Sequence, residues 1–404
     1  MSQMTQVAAL ALLAAGVCAD AAAAQDIKLT PLIDARLRYE HVDQEGVADQ
    51  ADAVTMRMRT GIQAKAGPLT ALVEAEATLK IAGAFNNGLN GRPLPVIPDP
   101  NDVEINRVQF GYEKDGLALI AGRQVLELGD QRFVGSANWR QNQQTFDAVR
   151  AKWTHGKLSV DAAYSWDVRT VNGIDGKGAR PRSVSGNNWF GQIGYATPIG
   201  TLGAFAYLVD QNLSALSGYR LSNQTYGLRL TGVRQIAKGW KLAYVASIAR
   251  QSDYARNPNR YAATYYLGEA TLSGPIVSAT AGYEVLGADR GVALTSIQTP
   301  LASFFKFQGW ASKFTTTPPD GLRDLYGTIG GSWKSKGMIT GYGVAGTYHR
   351  FASDRLVRLY GDEIDAIGFL KFNRYTLAAR LARYVAKGFA TDTTKVFLTL
   401  DWVM

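Results

Sequence analysis

Residues 54–66 read VTMRMRTGIQAKA, and polar and apolar side chains alternate along this stretch. Arg57 and Arg59 fall on one face, while Met56 and Met58 fall on the other. A helix would scatter both sets around its circumference, whereas successive side chains of a strand point to opposite faces. The stretch is therefore predicted to be a β-strand with one wet face and one apolar face.

The same alternation recurs along nearly the whole chain. It marks eighteen segments, at about 28–41, 54–66, 69–80, 103–113, 117–123, 146–153, 158–168, 188–197, 200–209, 224–233, 240–250, 263–272, 277–286, 325–333, 338–349, 362–371, 375–385 and 392–404. The even-numbered connections between these segments are short. The odd-numbered connections are long and include 42–53, 81–102, 124–145, 169–187, 210–223, 287–324 and 350–361. The exception is the last one, 386–391, which is short. This parity is typical of outer-membrane barrels. The sequence predicts an all-β, transmembrane, antiparallel up-and-down β-barrel of about 18 strands, with long extracellular loops and short periplasmic turns.

The composition narrows the function classes. The chain has 404 residues, 43 Lys and Arg against 34 Asp and Glu, and a formal net charge of +9. One cysteine excludes a disulfide framework and a Cys-rich metal site, and three scattered histidines disfavour a His-built metal centre. No later segment approaches eighteen uninterrupted apolar residues, which excludes a helical membrane protein. Neither a cofactor nor a metal ion is predicted.

The N-terminal residues are typical of a secretion signal. Residues 7–17 are apolar, and a run of alanines follows at 21–24. We expect cleavage after Ala24, so that residues 1–24 form a signal peptide and residues 25–404 form the barrel domain. The expected location is the outer membrane of a Gram-negative cell, which the chain reaches after signal-peptide-dependent export.

Parity places many positive side chains on the predicted lumen face. They are Arg36, Arg38, Arg57, Arg59, Lys65, Arg107, Arg123, Arg150, Arg229, Arg380 and Lys395, and the acidic candidates on the same face are Asp34, Glu74, Glu76, Asp161 and Asp167. Clustered guanidinium groups suit carboxylate ligands because they bind them through two parallel hydrogen bonds. An alternative is a structural ladder, in which Arg and Glu on neighbouring strands neutralise one another. The sequence predicts a channel with a net preference for anions.

The most distinctive stretch lies between Gly122 and Arg150. It contains GRQ at 122–124, DQRFVG at 130–135, WRQN at 139–142 and TFDAVR at 145–150, and it spans the third extracellular loop, the usual element that folds into a pore. This stretch resembles the signature of the alginate-export porin family. The resemblance implies an eighteen-stranded barrel with a basic constriction that passes an anionic uronate polymer outward.

The resemblance also implies a loop-and-wall network built from the motif residues. These residues are Arg123, Asp130, Arg132, Trp139, Arg140, Asp147 and Arg150. All of them except Trp139 are expected to line the pore. The chain is more compact than the family's alginate exporter, whose larger loops gate the pore. The implied partners are an anionic solute or polysaccharide and periplasmic export components.

The last strand and the aromatic residues indicate a membrane partner. Val396, Leu398, Leu400, Trp402 and Met404 alternate to the chain end, which resembles the C-terminal signal read by the barrel-assembly machinery. Aromatic residues near strand ends are typical of the girdles at the two interfaces of a lipid bilayer. The lipid bilayer of the outer membrane and the assembly machinery are therefore expected partners.

Other function classes are weaker. The aromatic run at 304–310 leaves open a general or hydrophobic-solute diffusion porin, although a loop packed on itself explains it as well. His41, His155 and His349 have no nearby nucleophile motif, so neither an enzyme nor any catalytic residue is predicted. Nucleic-acid binding is not predicted either, because the arginines alternate along strands instead of forming a patch with stacking aromatics.

Overall fold

The computed structural model describes residues 27–213 and 218–404, and the predicted signal peptide at 1–24 lies outside these residues. The described chain forms eighteen β-strands: β1 Lys28–Gln44, β2 Ala51–Ala66, β3 Leu69–Ala84, β4 Asp102–Lys114, β5 Leu117–Gln124, β6 Thr145–His155, β7 Leu158–Arg169, β8 Ser183–Thr197, β9 Gly200–Val209, β10 Asn223–Ala237, β11 Trp240–Asp253, β12 Ala262–Ser273, β13 Val277–Leu286, β14 Leu322–Lys334, β15 Gly341–Ala352, β16 Leu359–Phe372, β17 Tyr375–Ala386 and β18 Thr393–Val403. Two single-turn 3-10 helices, Tyr219–Leu221 and Phe304–Lys306, lie in the connections.

Each strand pairs antiparallel with the next one along the chain, and β18 closes the sheet on β1. The closing register runs from Asp34 opposite Val403 to Gln44 opposite Thr393. Closure leaves no strand edge whose N–H and C=O groups would meet hydrocarbon without hydrogen bonds. The predicted closed up-and-down barrel is confirmed. Within the described part of the chain, no helix has both the length and the apolar composition needed to cross a membrane.

The connections are short at one end of the barrel and mostly long at the other. The loops at the long end are L1 45–50, L2 85–101, L3 125–144, L4 170–182, L5 210–222, L6 254–261, L7 287–321, L8 353–358 and L9 387–392. L1 and L8 are shorter than the predicted connections 42–53 and 350–361, because the flanking strands extend further than the alternation in the sequence indicated.

The outer face of the barrel is apolar. Side chains such as Phe110 and Ile329 are exposed, which is the expected environment of a lipid-facing position. The aromatic residues Trp189, Tyr195 and Tyr375 are also exposed, as expected of the girdles at the membrane interfaces. The interior is instead filled in part by L3 and L7.

Two apolar clusters hold these loops inside the barrel. Leu126, Leu128 and Val134 of L3 pack with Phe146 and Phe190 of the wall. In L7, Ile297 and Phe314 pack with Tyr265, Leu286, Phe351 and Tyr384. Full burial of one large apolar side chain contributes about 1.5–3 kcal/mol to the free energy of unfolding. Both loops are therefore fixed parts of the interior.

Candidate functional site: a constriction built from L3 and L7

L3 and L7 join into one partition across the barrel. Val134 and Leu301 form an isolated parallel bridge between the loops. The Gly135 N–H donates to the Leu301 carbonyl at 2.8 Å, and the Ser303 N–H donates to the Gln131 carbonyl at 3.1 Å. Because backbone hydrogen bonds link the two loops, both of them make the partition inside the barrel.

Hydrogen bonds from Gln141 and Gln143 hold the end of L3 against L2 and the wall. Gln141 donates to the Thr55 hydroxyl at 2.9 Å, and its own backbone N–H donates to Asp99 at 3.1 Å. The Gln143 N–H donates to the Glu76 carboxylate at 3.0 Å. These partners are buried, so each bond also satisfies a polar group that has no access to water.

Two carboxylates of β16 hold L7. Asp365 accepts the Trp310 N–H at 3.2 Å, and Glu363 accepts the Ala311 N–H at 2.7 Å. Gly309, which precedes Trp310, has φ +76°, and a Cβ there would clash with the Glu363 carboxyl carbon. Only glycine combines this backbone conformation with so close an approach. The wall carboxylates therefore fix where L7 enters the lumen.

Three guanidinium groups converge on Trp139 at the tip of L3. The Trp139 carbonyl accepts bonds from Arg36 at 3.0 Å and from Arg38 at 2.6 Å. The Arg38 and Arg380 guanidinium carbons lie 4.2 and 4.8 Å from the Trp139 ring centroid. Arg36 and Arg38 pair with Asp401 and Asp99 at 2.6 and 3.3 Å. Among the described residues, Arg380 forms no ion pair, so this cluster carries one excess positive charge.

Aromatic rings extend this cluster across the partition. Trp139 stacks on Phe305 of L7 with centroids 3.5 Å apart, and Phe305 stacks in turn on Trp310 at 5.7 Å. Phe397 of β18 meets Trp139 edge-on at 5.4 Å. The aromatic part of the 304–310 run thus packs on L3 and the wall, and the stack stiffens the place where the arginines meet.

Most of the predicted lumen arginines belong to an ion-pair ladder. Those forming an ion pair with a carboxylate are Arg36, Arg38, Arg57, Arg59, Arg107, Arg123, Arg132, Arg150 and Arg229. In β1 to β4 the ladder joins Arg57 to Asp34, Arg59 to Glu76 and Arg107 to Glu74. In the described chain, Arg140 and Arg380 are the predicted arginines without such a partner, and the predicted lumen lysines Lys65 and Lys395 form no ion pair either. The ladder therefore accounts for more of the basic wall than the sequence alone indicated.

A second group of charges surrounds a pocket of about 440 Å³ beside L3. Arg150 donates to both oxygens of Asp161, at 2.8 and 2.6 Å, and Arg229 contacts Asp130 at 2.9 Å. Burial alone would raise the pKa of Asp130, but the hydrogen bond and charge of Arg229 outweigh burial and leave this pKa below its usual value. Phe205 and Tyr207 line the same pocket. Within each of these two ion pairs the positive and the negative charge cancel.

Arg123 and Asp147 do not line the lumen. The register places Gln124 opposite Phe146, which packs in the interior, and Arg123 opposite Asp147 on the other face. Arg123 bonds both Asp147 oxygens, at 2.7 and 2.9 Å, and also the Ile105 carbonyl of β4 at 3.1 Å. The pair therefore completes the wall where β5 ends, which corrects the predicted lumen position of both residues.

A register shift explains a related error. The pairing of β7 with β8 slips between Ser165 and Asp167. Ser165 is fully buried and Val168 packs in the interior, so Asp167 between them lies on the outward face. Strict alternation had placed Asp167 in the lumen with Asp161. An extra residue in one strand reverses every assignment beyond it.

Two further cations belong to the partition. Arg140 of L3 has a buried Nη1 atom with no hydrogen-bond partner in the described chain. Lys313 of L7 lies 5.9 Å from the Tyr384 ring. Burial, followed by the nearby positive charge of Lys395, lowers the pKa of Lys313 to about 8, against opposing effects of Glu363 and Asp392. Lys313 therefore titrates near neutral pH.

Sequence reasoning missed the contribution of L7 and the carboxylates that anchor it. Glu284, Glu363 and Asp365 carried no motif, and only the exceptional length of the connection 287–324 pointed to this loop. In the described residues, no group of three or more His, Cys, Asp or Glu side chains has a metal-binding arrangement. The site is thus an assembly of arginines, carboxylates and aromatic rings.

Comparison with known proteins agrees with this architecture. The family model for alginate export matches residues 30–270. Solved structures with the same fold include Pseudomonas aeruginosa OpdQ (15% identical, covering 93% of this chain and 97% of that one, TM-score 0.69), Acinetobacter baumannii OccAB4 (13%, 94% and 98%, 0.67) and the outer membrane protein opdK from Pseudomonas aeruginosa (12%, 93% and 98%, 0.64). No curated protein matches the sequence. The chain belongs to the alginate-export family and is an outer-membrane porin-like barrel of eighteen strands.

Proposed function

We propose that the barrel is a passive channel that prefers anions and passes carboxylate-bearing solutes, with an anionic uronate polysaccharide as the ligand class. The observation that carries this proposal is the excess positive charge where Arg36, Arg38 and Arg380 surround Trp139. Charge at the narrow part of a channel decides which ions pass. The fold supports a passage because about sixteen to eighteen strands leave an aqueous bore.

Arg380 carries the selectivity in this proposal. Its neighbours Arg36 and Arg38 are already neutralised by Asp401 and Asp99. Among the described residues, Arg380 donates only to the Thr399 hydroxyl, at 3.3 Å, so its remaining N–H groups are available to a passing carboxylate. A guanidinium replaces part of the hydration of such a group, and a weak site lets the solute leave again.

The test is the reversal potential of the purified protein in a planar bilayer under a salt gradient. We expect an anion-directed potential that moves toward zero in Arg380→Gln. Arg383→Gln is the matched control, because Arg383 lies on the same strand and on the opposite face, and this variant should keep the wild-type potential. A cation-directed potential in the wild type would overturn the anion preference.

The ligand class is tested in the same bilayer with mannuronate and guluronate oligomers. We expect these oligomers to block the current and Arg380→Gln to weaken the block. The second candidate function is a general or hydrophobic-solute diffusion porin, which the aromatic lining at Phe133, Phe205 and Tyr207 favours. Uptake of small neutral solutes by liposomes, unaffected by uronate oligomers, would support this function instead.

A further inference from the structure

A basic patch lies on the outward face of the barrel at its extracellular rim. Arg350 on β15, Arg383 on β17 and Lys387 in L9 are exposed and form what we call the rim patch. The Arg350 and Lys387 side chains are 53% and 42% accessible. This patch lies outside the lumen and has no part in the proposed conduction path.

One carboxylate lies between two of these cations. Asp362 on β16 contacts Arg350 Nε at 3.1 Å and Lys387 Nζ at 2.6 Å. Arg383 donates to the Thr394 hydroxyl at 3.1 Å and forms no ion pair with any described residue. The rim patch with Asp362 therefore keeps two uncompensated positive charges.

The alternation of the strands places this patch against the membrane. Tyr348 and Arg350 flank His349, whose side chain is buried inside, so both point outward. Ile364 and Leu381 are exposed on the same outer surface. Each of them is next to a buried residue of its strand, Glu363 and Ala382 respectively. A tyrosine near the end of a membrane strand, such as Tyr348 on β15, is typical of a membrane–water interface. A ligand of the rim patch therefore approaches from the outer leaflet.

Other sectors of the same rim differ in charge. On β1 and β2 the outward Asp52 is 48% accessible and is bonded by Tyr39 and His41. On β5 and β6 the outward Arg123 is neutralised by Asp147. On β11 the outward Arg250 is a single cation that donates to the Thr264 hydroxyl at 2.7 Å. The rim patch is thus distinguished by its number of exposed cations and not by being the sole positive sector of the rim.

We propose that the rim patch binds the phosphorylated headgroup of an outer-leaflet glycolipid. Guanidinium groups bind phosphate oxygens through paired hydrogen bonds, and the lysine adds a point charge. The apolar strand surface below the patch would meet the acyl chains of the same lipid. A cation near an anionic lipid surface strengthens binding by about fivefold, so three of them strengthen it by about a hundredfold.

Native mass spectrometry of the full chain in detergent tests this proposal, with diphosphorylated lipid A as the probe. The variant Arg350→Gln/Arg383→Gln/Lys387→Gln should bind lipid A about a hundredfold more weakly and keep the wild-type single-channel conductance. Arg234→Gln/Lys238→Gln/Arg374→Gln removes three exposed cations from the periplasmic end and should bind as the wild type does.

Three results would overturn the proposal: equal binding by the rim variant and the wild type, an equal loss in the periplasmic control, or equally tight binding of dephosphorylated lipid A. Inorganic phosphate that competes at the same concentration as lipid A would assign the patch to a free anion instead. If the triple variant does not insert, Arg383→Gln alone should weaken binding by about fivefold. This single variant removes no ion pair, so a folding defect is not expected from it.

Discussion

Arg132 holds the partition of L3 and L7 against the wall, and its removal gives the sharpest test of the constriction. The Arg132 Nε atom lies 3.0 Å from Glu284 Oε1, and both side chains are buried. Glu284 also accepts bonds from Gln308 of L7 at 2.7 Å and from Tyr265 at 2.8 Å. One wall carboxylate therefore binds both loops, while Phe307 covers the Arg132 guanidinium at 4.7 Å.

Arg132→Met keeps most of the aliphatic volume but leaves the Glu284 carboxylate buried without its cation. Removing one partner of a buried ion pair costs about 3–5 kcal/mol. The equilibrium between the attached and the detached partition should shift by about two to four orders of magnitude. In the double variant Arg132→Met/Glu284→Gln the stranded charge is gone, so most of this loss should be recovered.

Single-channel recording and limited proteolysis of L7 measure the detachment. We expect Arg132→Met to show bursts of higher conductance and faster cleavage in L7, and the double variant to return toward the quiet wild-type trace. The reasoning is refuted if Arg132→Met is as quiet and as protease-resistant as the wild type. A double variant as noisy as the single one would show that the buried charge is not the cause.

Three further predictions concern L7. Gly309→Ala should loosen L7 and raise the current noise, because a non-glycine residue at φ +76° costs about 1–3 kcal/mol and the new Cβ would meet Glu363. The control is Gly337→Ala, with φ +97° and no atom within 4 Å of the new Cβ, which should leave the current unchanged. Equal noise in both variants would contradict the steric argument. Since the pKa of Lys313 is lowered to about 8, the anion preference of the wild type should fall as the pH rises from 7 to 9, as reversal potentials can show. In Lys313→Arg the anion preference should not change over this pH range. A wild-type anion preference that is independent of pH would exclude a role for Lys313. Because the folded-state pKa lies below the unfolded value, the free energy of unfolding should rise over the same pH range, which denaturant titration can measure.

The sequence alone determined the barrel. In a strand such as 54–66, one face must meet lipid and the other water, so apolar and polar residues alternate along the sequence. Strand count, loop parity and the motif at 122–150 follow from equally local patterns, and the family that the motif indicated is confirmed.

The tertiary structure decided what fills the barrel. The stack of Trp139 on Phe305 joins residues that are far apart in the chain, and no period in the sequence relates them. The lumen position of Asp167 was wrong because the side that a residue faces depends on pairing register, which the bulge between Ser165 and Asp167 changes. Most arginines proved to be paired because carboxylates on neighbouring strands reach them only after the sheet has closed. Local alternation needs only neighbouring residues, whereas loop packing, register and charge pairing depend on contacts that exist only in the folded barrel.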